Sequence, residues 1–150
     1  MNPEVKKKWI EALKSGKYKQ GRLTLRHTIK GEDAFCCLGV LCDLYLKENG
    51  LQWEESPLRL NAVNILHNIQ MEHMYLIDGA WGILPSKVIE WAGLECHDPS
   101  VVYSTGRVPL STLNDGPRIS SKPVSKITPQ TFIQIADIIE KGLSSTTPML

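Results

Sequence analysis

The chain has 150 residues, with 42% hydrophobic and 22% charged side chains and a formal net charge of +1. This length fits a single domain spanning 1–150, and the near-average composition excludes a disordered chain, a collagen-like repeat and a coiled coil. No apolar run approaches the roughly 18 residues needed to span a bilayer, and no apolar stretch follows the N-terminal lysines as a signal peptide requires, so a cytoplasmic protein without a membrane partner is expected.

The charge is unevenly placed. Residues 1–30 carry nine Lys/Arg against two Glu, residues 31–100 three against eleven Asp/Glu, and the last fifty five against three. Such a split suits an anionic ligand near the N-terminal segment, or basic and acidic faces meeting between subunits; it equally describes a solvated helix face. A nucleic-acid polymer is disfavoured, because the whole domain lacks the high pI such partners select.

The first helix is signalled by Asn2 as cap, Pro3 at the first helical position and Glu4 in the first turn, with Val5, Trp9, Ala12 and Leu13 at helical spacing and Gly16 as its stop. Lys17 to Arg22 reads as a basic loop carrying Tyr18. Leu23 to Ile29 alternates as a strand, with Leu23, Leu25 and Ile29 on one face and Thr24, Arg26 and Thr28 on the other, ended by Lys30-Gly31-Glu32-Asp33. Residues 35–48 are too uniformly apolar for a surface helix and read as the buried central helix, where Gly39 marks close approach of another element.

Trp53 to Asn61 reads as loop, Ala62 to Ile69 as short strand or helix, and Met74 to Ile77 as a strand entering an Asp78-Gly79 turn, with Trp81 and Ile83 on a return strand. Leu84-Pro85-Ser86 opens a short helix over Lys87 to Ala92 that Gly93 stops. Residues 98–127 are turn-rich, with turns expected at Asp98-Pro99, Thr105-Gly106, Asp115-Gly116-Pro117 and Lys122-Pro123, a strand at Val101 to Tyr103 and one helical turn at Leu110 to Leu113. The last helix is expected to be capped by Thr128, to start at Pro129, and to bury Phe132, Ile135, Ala136, Ile138 and Ile139 until Gly142. The tail, 143–150, is expected to be mobile.

The four cysteines, Cys36, Cys37, Cys42 and Cys96, include an adjacent pair and do not converge as metal ligands, so buried thiols without metal or cofactor are expected. His27, His67, His73 and His97 stand in no recognisable catalytic context, and phosphate-binding glycine loops are absent. The best candidate pocket is Tyr18 to Arg26. Arg22 and Arg26 supply planar forks suited to phosphate, Thr24 a hydroxyl and Tyr18 a face for a base. An ordinary exposed basic strand explains the same residues. Asn114 and Asp115 form a second candidate, which a plain turn also explains.

Trp9-x-x-Ala12-Leu13-x-Ser15-Gly16-x-Tyr18-x-Gln20, then Phe35-Cys36-Cys37-Leu38-Gly39-Val40-Leu41-Cys42-Asp43-Leu44, resembles a family of small proteins encoded by tailed phages and prophages. The likeness continues through Leu84-Pro85, Glu90-Trp91-Ala92-Gly93-Leu94, Leu110-x-x-Leu113-Asn114-Asp115, and the Phe132 to Glu140 helix. It is also similar to the anti-CBASS viral sponges, which sequester cyclic nucleotide immune signals without cleaving them. That resemblance implies a non-catalytic homo-oligomer that binds a cyclic dinucleotide such as cGAMP. A phosphodiesterase of such a signal and a protein–protein inhibitor of a host factor are the alternatives. The expected architecture is one α+β domain, a small antiparallel sheet packed by the central helix and flanked by the two terminal helices.

Overall fold

The computed structural model describes residues 1–57, 62–64, 69–103, 106–116 and 128–143, with the backbone alone at 62–64, 69 and 70. Helix α1 (Pro3–Lys14) begins as the capping residues require: Asn2 Oδ1 accepts the Glu4 N–H at 3.0 Å. Val5, Trp9 and Leu13 form its buried stripe, and the Trp9 indole N–H donates to the Cys37 carbonyl at 2.9 Å. Trp9 therefore satisfies its one polar atom while filling the core.

Strands β1 (Arg26–Ile29) and β2 (Glu32–Phe35) form a hairpin. Its two turn residues, Lys30 and Gly31, have φ of 52° and 77°. A two-residue turn with both central φ positive matches the twist of paired strands, and glycine takes that conformation without strain. The Lys30-Gly31 stretch thus joins two strands, and Glu32 and Asp33 belong to the second. β1 is also shorter than the expected Leu23–Ile29 strand, because Leu23 sits at φ 74° and Leu25 N–H bonds the Trp81 carbonyl. The expected polar face fails with it: Thr24 and Thr28 are buried.

Helix α2 (Cys37–Glu48) is the buried central helix. It starts two residues later than expected. Phe35 is held in a ladder by the segment before β1, donating to the Lys19 carbonyl at 2.9 Å and accepting from Gly21 N–H at 2.7 Å. Cys36, extended, caps the helix by accepting the Gly39 N–H on its sulfur. Gly39 lies where another element comes close, as expected: a Cβ there would stand 1.7 Å from the Leu25 carbonyl oxygen. Cys36, Cys37 and Cys42 are buried free thiols, pushed above the ordinary thiol pKa by burial, and Cys36 reaches about 12.

β3 (Glu54–Glu55) falls inside the expected loop; it pairs antiparallel with β6 (His73–Leu76), beyond a small hairpin of β4 (Ala62–Asn64) and β5 (Ile69–Met71). The main sheet runs β2-β1-β6-β3, all antiparallel. Asp78 and Gly79 turn the chain as expected, with φ of 50° and 80°, but the return strand ends at Ala80. Trp81 leaves β6 to bond Leu25, and Trp81 and Ile83 stay exposed.

α3 (Ser86–Ala92) is the expected short helix, closed by left-handed Gly93. β7 (Ser100–Tyr103) pairs with β8 (Gly106–Pro109), a strand where only a turn was expected, and α4 (Leu110–Asp115) follows at once. α5 (Phe132–Lys141) buries Phe132, Ile135, Ala136 and Ile139. It starts later than the expected Thr128-Pro129, because Thr131 and Gln134 form a reciprocal capping box, each side chain accepting the other's backbone N–H.

α1 lies against both α2 and α5, and the core runs from these helices to the sheet through Leu25, Leu38, Leu41, Leu84, Leu110 and Ile135. The molecule is a single-domain α+β fold with small antiparallel sheets around a buried helix. The turns expected at Thr105, Pro117 and Lys122-Pro123, His67, and the tail from Ser144 lie outside the described residues.

Candidate functional site

The segment between α1 and β1 has two destinations, and it parts the six candidate residues accordingly. Its inward side chains build a polar seam. Gln20 donates to Asn114 Oδ1 at 2.9 Å and to the Gln130 carbonyl at 2.8 Å, and accepts the first N–H of α5, from Phe132, at 3.0 Å. Asn114 is fully buried and uses all its bonding capacity. Besides Gln20, its oxygen accepts the Cys37 N–H at 3.2 Å, while its amide donates to the Gly21 carbonyl and to Asp115 Oδ1, both at 2.8 Å. Asp115 also accepts the Leu23 N–H at 3.1 Å. One amide thus joins the pre-β1 segment, the start of α2, α4 and, through Gln20, the start of α5. Asn114 and Asp115 are committed to this seam, which corrects their reading as a loop offered to a ligand.

Thr24 is likewise turned inward, its hydroxyl 2.6 Å from His27 Nδ1. His27 is fully buried against Gly21, and its Nε2 meets no partner among the described residues. Burial lowers its pKa, so the ring is held neutral. The Thr24 hydroxyl expected on an exposed strand face is therefore unavailable there.

The outward side chains line an open groove of about 930 Å³ between α1, the loop at 15–19, the β1–β2 hairpin and α2. Tyr18 stands in its wall, edge-on to Phe35 with ring centroids 5.0 Å apart. Its hydroxyl donates to Asp43, whose other oxygen accepts the Trp53 indole N–H at 2.9 Å. Burial and the neighbouring Asp43 carboxylate push the Tyr18 phenol up to about 12, so it stays a donor. Burial alone would raise Asp43, but the bonds from Tyr18, Trp53 and Lys47 hold it below the usual carboxylate range.

Arg26 also lines the groove, yet its guanidinium is spoken for. Its Nε and Nη2 donate to Asp33 Oδ1 at 3.0 and 2.9 Å, and it lies 3.9 Å from the Tyr75 ring centroid, with Phe35 and Trp53 on other sides. This is a cation held by an aromatic box, not a fork facing solvent. Arg22 is exposed and does not line the groove. Of the six residues, Tyr18 and Arg26 meet at the groove, Asn114 and Asp115 meet in the seam, Thr24 is sealed beside His27, and Arg22 stands apart.

The groove's remaining cations are lysines that the sequence reading passed over. Lys47 bonds Asp43 at 3.0 Å, Lys19 bonds Glu32 at 2.6 Å and Lys8 bonds Glu48 at 3.4 Å. Lys17 has no side-chain partner among the described residues. The Lys19 ammonium holds the Glu32 carboxyl below its ordinary range. Part of the charge split noted in the sequence thus closes within the chain, basic residues of 1–30 meeting acids of 31–100. Lys47–Asp43 is an i,i+4 pair legible in the sequence, whereas Lys8 and Lys19 meet acids 40 and 13 residues away, which no local pattern reveals.

Among the described residues, no group of three or more His, Cys, Asp or Glu could hold a metal ion, and no helix is long and apolar enough to cross a membrane. Fold and groove define a small α+β domain with an open, lysine-bordered cleft on one side of a sealed polar seam. The chain belongs to the family described as a domain of unknown function, DUF8296, whose model matches residues 1–143. No curated protein and no solved structure matches it.

Proposed function

We propose that the protein is a non-catalytic binding protein that sequesters a cyclic nucleotide signal, a cyclic dinucleotide such as cGAMP, in the groove between α1, the 15–19 loop, the β1–β2 hairpin and α2. The observation that carries this reading is the combination in one open cleft of about 930 Å³ of Lys8, Lys17, Lys19 and Lys47 with the Tyr18 and Phe35 rings. Ammonium groups answer phosphodiester charge, and aromatic rings answer the apolar faces of bases. The resemblance of the Trp9 to Gln20 and Phe35 to Leu44 stretches to phage-encoded sponges supports the same reading and its corollaries: a homo-oligomer acting in the cytoplasm of the infected cell against anti-phage defence.

The test is recovery of ligand. Protein is incubated with cGAMP, free nucleotide is removed, and the complex is heated and its supernatant resolved by chromatography. Intact cGAMP released in stoichiometric amount supports sequestration. A linearised product identifies a phosphodiesterase, and no retained nucleotide at tens of micromolar protein leaves inhibition of a host protein as the reading to pursue.

A further inference from the structure

The groove's cations differ in what an incoming anion must displace. Arg26 is locked by Asp33 and three rings, and Lys47 by the buried Asp43, which two further donors also hold. Lys17 is open. Lys8 is covered by Glu48, which does not line the groove and is also bonded by the Trp91 indole, whereas Lys19 is covered by Glu32, and both of these residues line the groove with most of their charged ends in water. Their backbones are fixed relative to each other, because the Lys19 carbonyl accepts the Phe35 N–H of the strand that carries Glu32. The two side chains therefore meet without any loop having to close.

We propose that Glu32 is the charge gate of this groove, a specificity-determining residue whose carboxylate holds the place of one anionic ligand group on Lys19 and so favours ligands with two phosphates over singly charged ones; the cyclic dinucleotide part of this rests on the reading above. An exposed pair of this kind is weak and hence displaceable. A single carboxylate arriving from solution would only exchange one monoanion for another, while Glu32 remained nearby to repel it. A ligand with two phosphates can meet Lys17 and Lys19 together, and the second contact offsets the displacement of Glu32. Glu11 and Asp33 also face the groove but do not bond Lys19.

The test titrates pyrophosphate and, separately, cGAMP into wild-type protein, Glu32→Gln, and Glu90→Gln as a control that removes one exposed charge from α3, away from the groove. Calorimetry at low salt reads the affinities. Glu32→Gln is expected to bind both ligands about two- to fivefold more tightly, the range an exposed ion pair commands, with an unchanged melting temperature, while Glu90→Gln matches wild type. No tightening in Glu32→Gln, or equal tightening in Glu90→Gln, overturns the gate. Pyrophosphate bound more tightly by Glu32→Gln without any cGAMP binding keeps the gate and overturns the nucleotide reading. cGAMP bound equally by wild type and Glu32→Gln does the reverse, and binding of neither ligand by any variant overturns both.

Discussion

The polar seam around Asn114 and the lysine groove lie on the two sides of one short segment, and they are built by opposite rules. In the seam the side-chain atoms of Gln20 and Asn114 all have fixed partners: the two make six hydrogen bonds, one of them to each other. In the groove the Lys19–Glu32 and Lys8–Glu48 pairs are exposed, and Lys17 has no side-chain partner among the described residues. Some of the letters that carry the family resemblance, Gln20, Cys36, Cys37, Gly39, Asn114 and Asp115, fall in or beside the seam, while Tyr18, Phe35 and Asp43 line the groove. The motif thus spans both sides, and the groove's lysines lie outside it.

The largest break in that comparison is expected at Gly39. A methyl group there meets the Leu25 carbonyl at 1.7 Å, backbone that cannot step aside, and that carbonyl also accepts the Cys36 N–H. Overpacking of this kind typically costs 1–3 kcal/mol and more against fixed backbone, so Gly39→Ala should cost at least about 3 kcal/mol. Thermal unfolding followed by circular dichroism should fall by roughly 10 °C, or the variant should be insoluble.

Asn114→Ala comes next. It leaves the buried Cys37 N–H and Gly21 carbonyl without their partner and releases Gln20, for an expected loss of about 2–4 kcal/mol. Denaturant unfolding should report this as a lower midpoint. A change below about 0.5 kcal/mol would show that water replaces the amide and that the seam is not a structural hub.

On the groove side, the comparison sharpens through affinity instead of stability. Lys17→Ala should leave the melting temperature unchanged and weaken cGAMP binding about tenfold, as loss of one charge-assisted contact would. Arg22→Ala, exposed and outside the groove, should change neither, and titration calorimetry on the pair distinguishes a groove site from general basicity.

The smallest effect is a pH dependence from His27. Its folded pKa lies below the ordinary 6.5 because the ring is buried, so below pH 6.5 the unfolded chain binds a proton that the folded chain refuses. Stability should be higher at about pH 7.5 than at about pH 5.5, read by urea unfolding at both. His27→Gln should flatten that step; an unchanged step would assign it to other groups.

Local chemistry in the sequence settled a good deal. Asn2, Pro3 and Glu4 start α1, the apolar run from Cys37 makes the central helix, Gly39 announces a close approach, Asp78-Gly79 turns a hairpin and Gly93 stops α3. Each needs only neighbours within a few residues, so each is written where it acts. Thr131-x-x-Gln134 is a capping pattern as local as Thr128-Pro129, and what decides between the two starts is the partners of Gln130 and Phe132, which come from α4 and Gln20. The site was less readable for the same reason. Alternation placed Thr24 on an outer face, but Leu23 turns left-handed and sends the threonine to His27. Arg26 looks like a free phosphate fork until Asp33, Tyr75 and Trp53 arrive from three other strands and loops. Asn114 in Asn114-Asp115-Gly116 reads as a turn residue until the pre-β1 segment and the start of α2 converge on it. Side-chain amides, guanidinium groups and lysines take their roles from whatever partner reaches them, and over separations of 7 to 112 residues only the tertiary structure decides which partner that is.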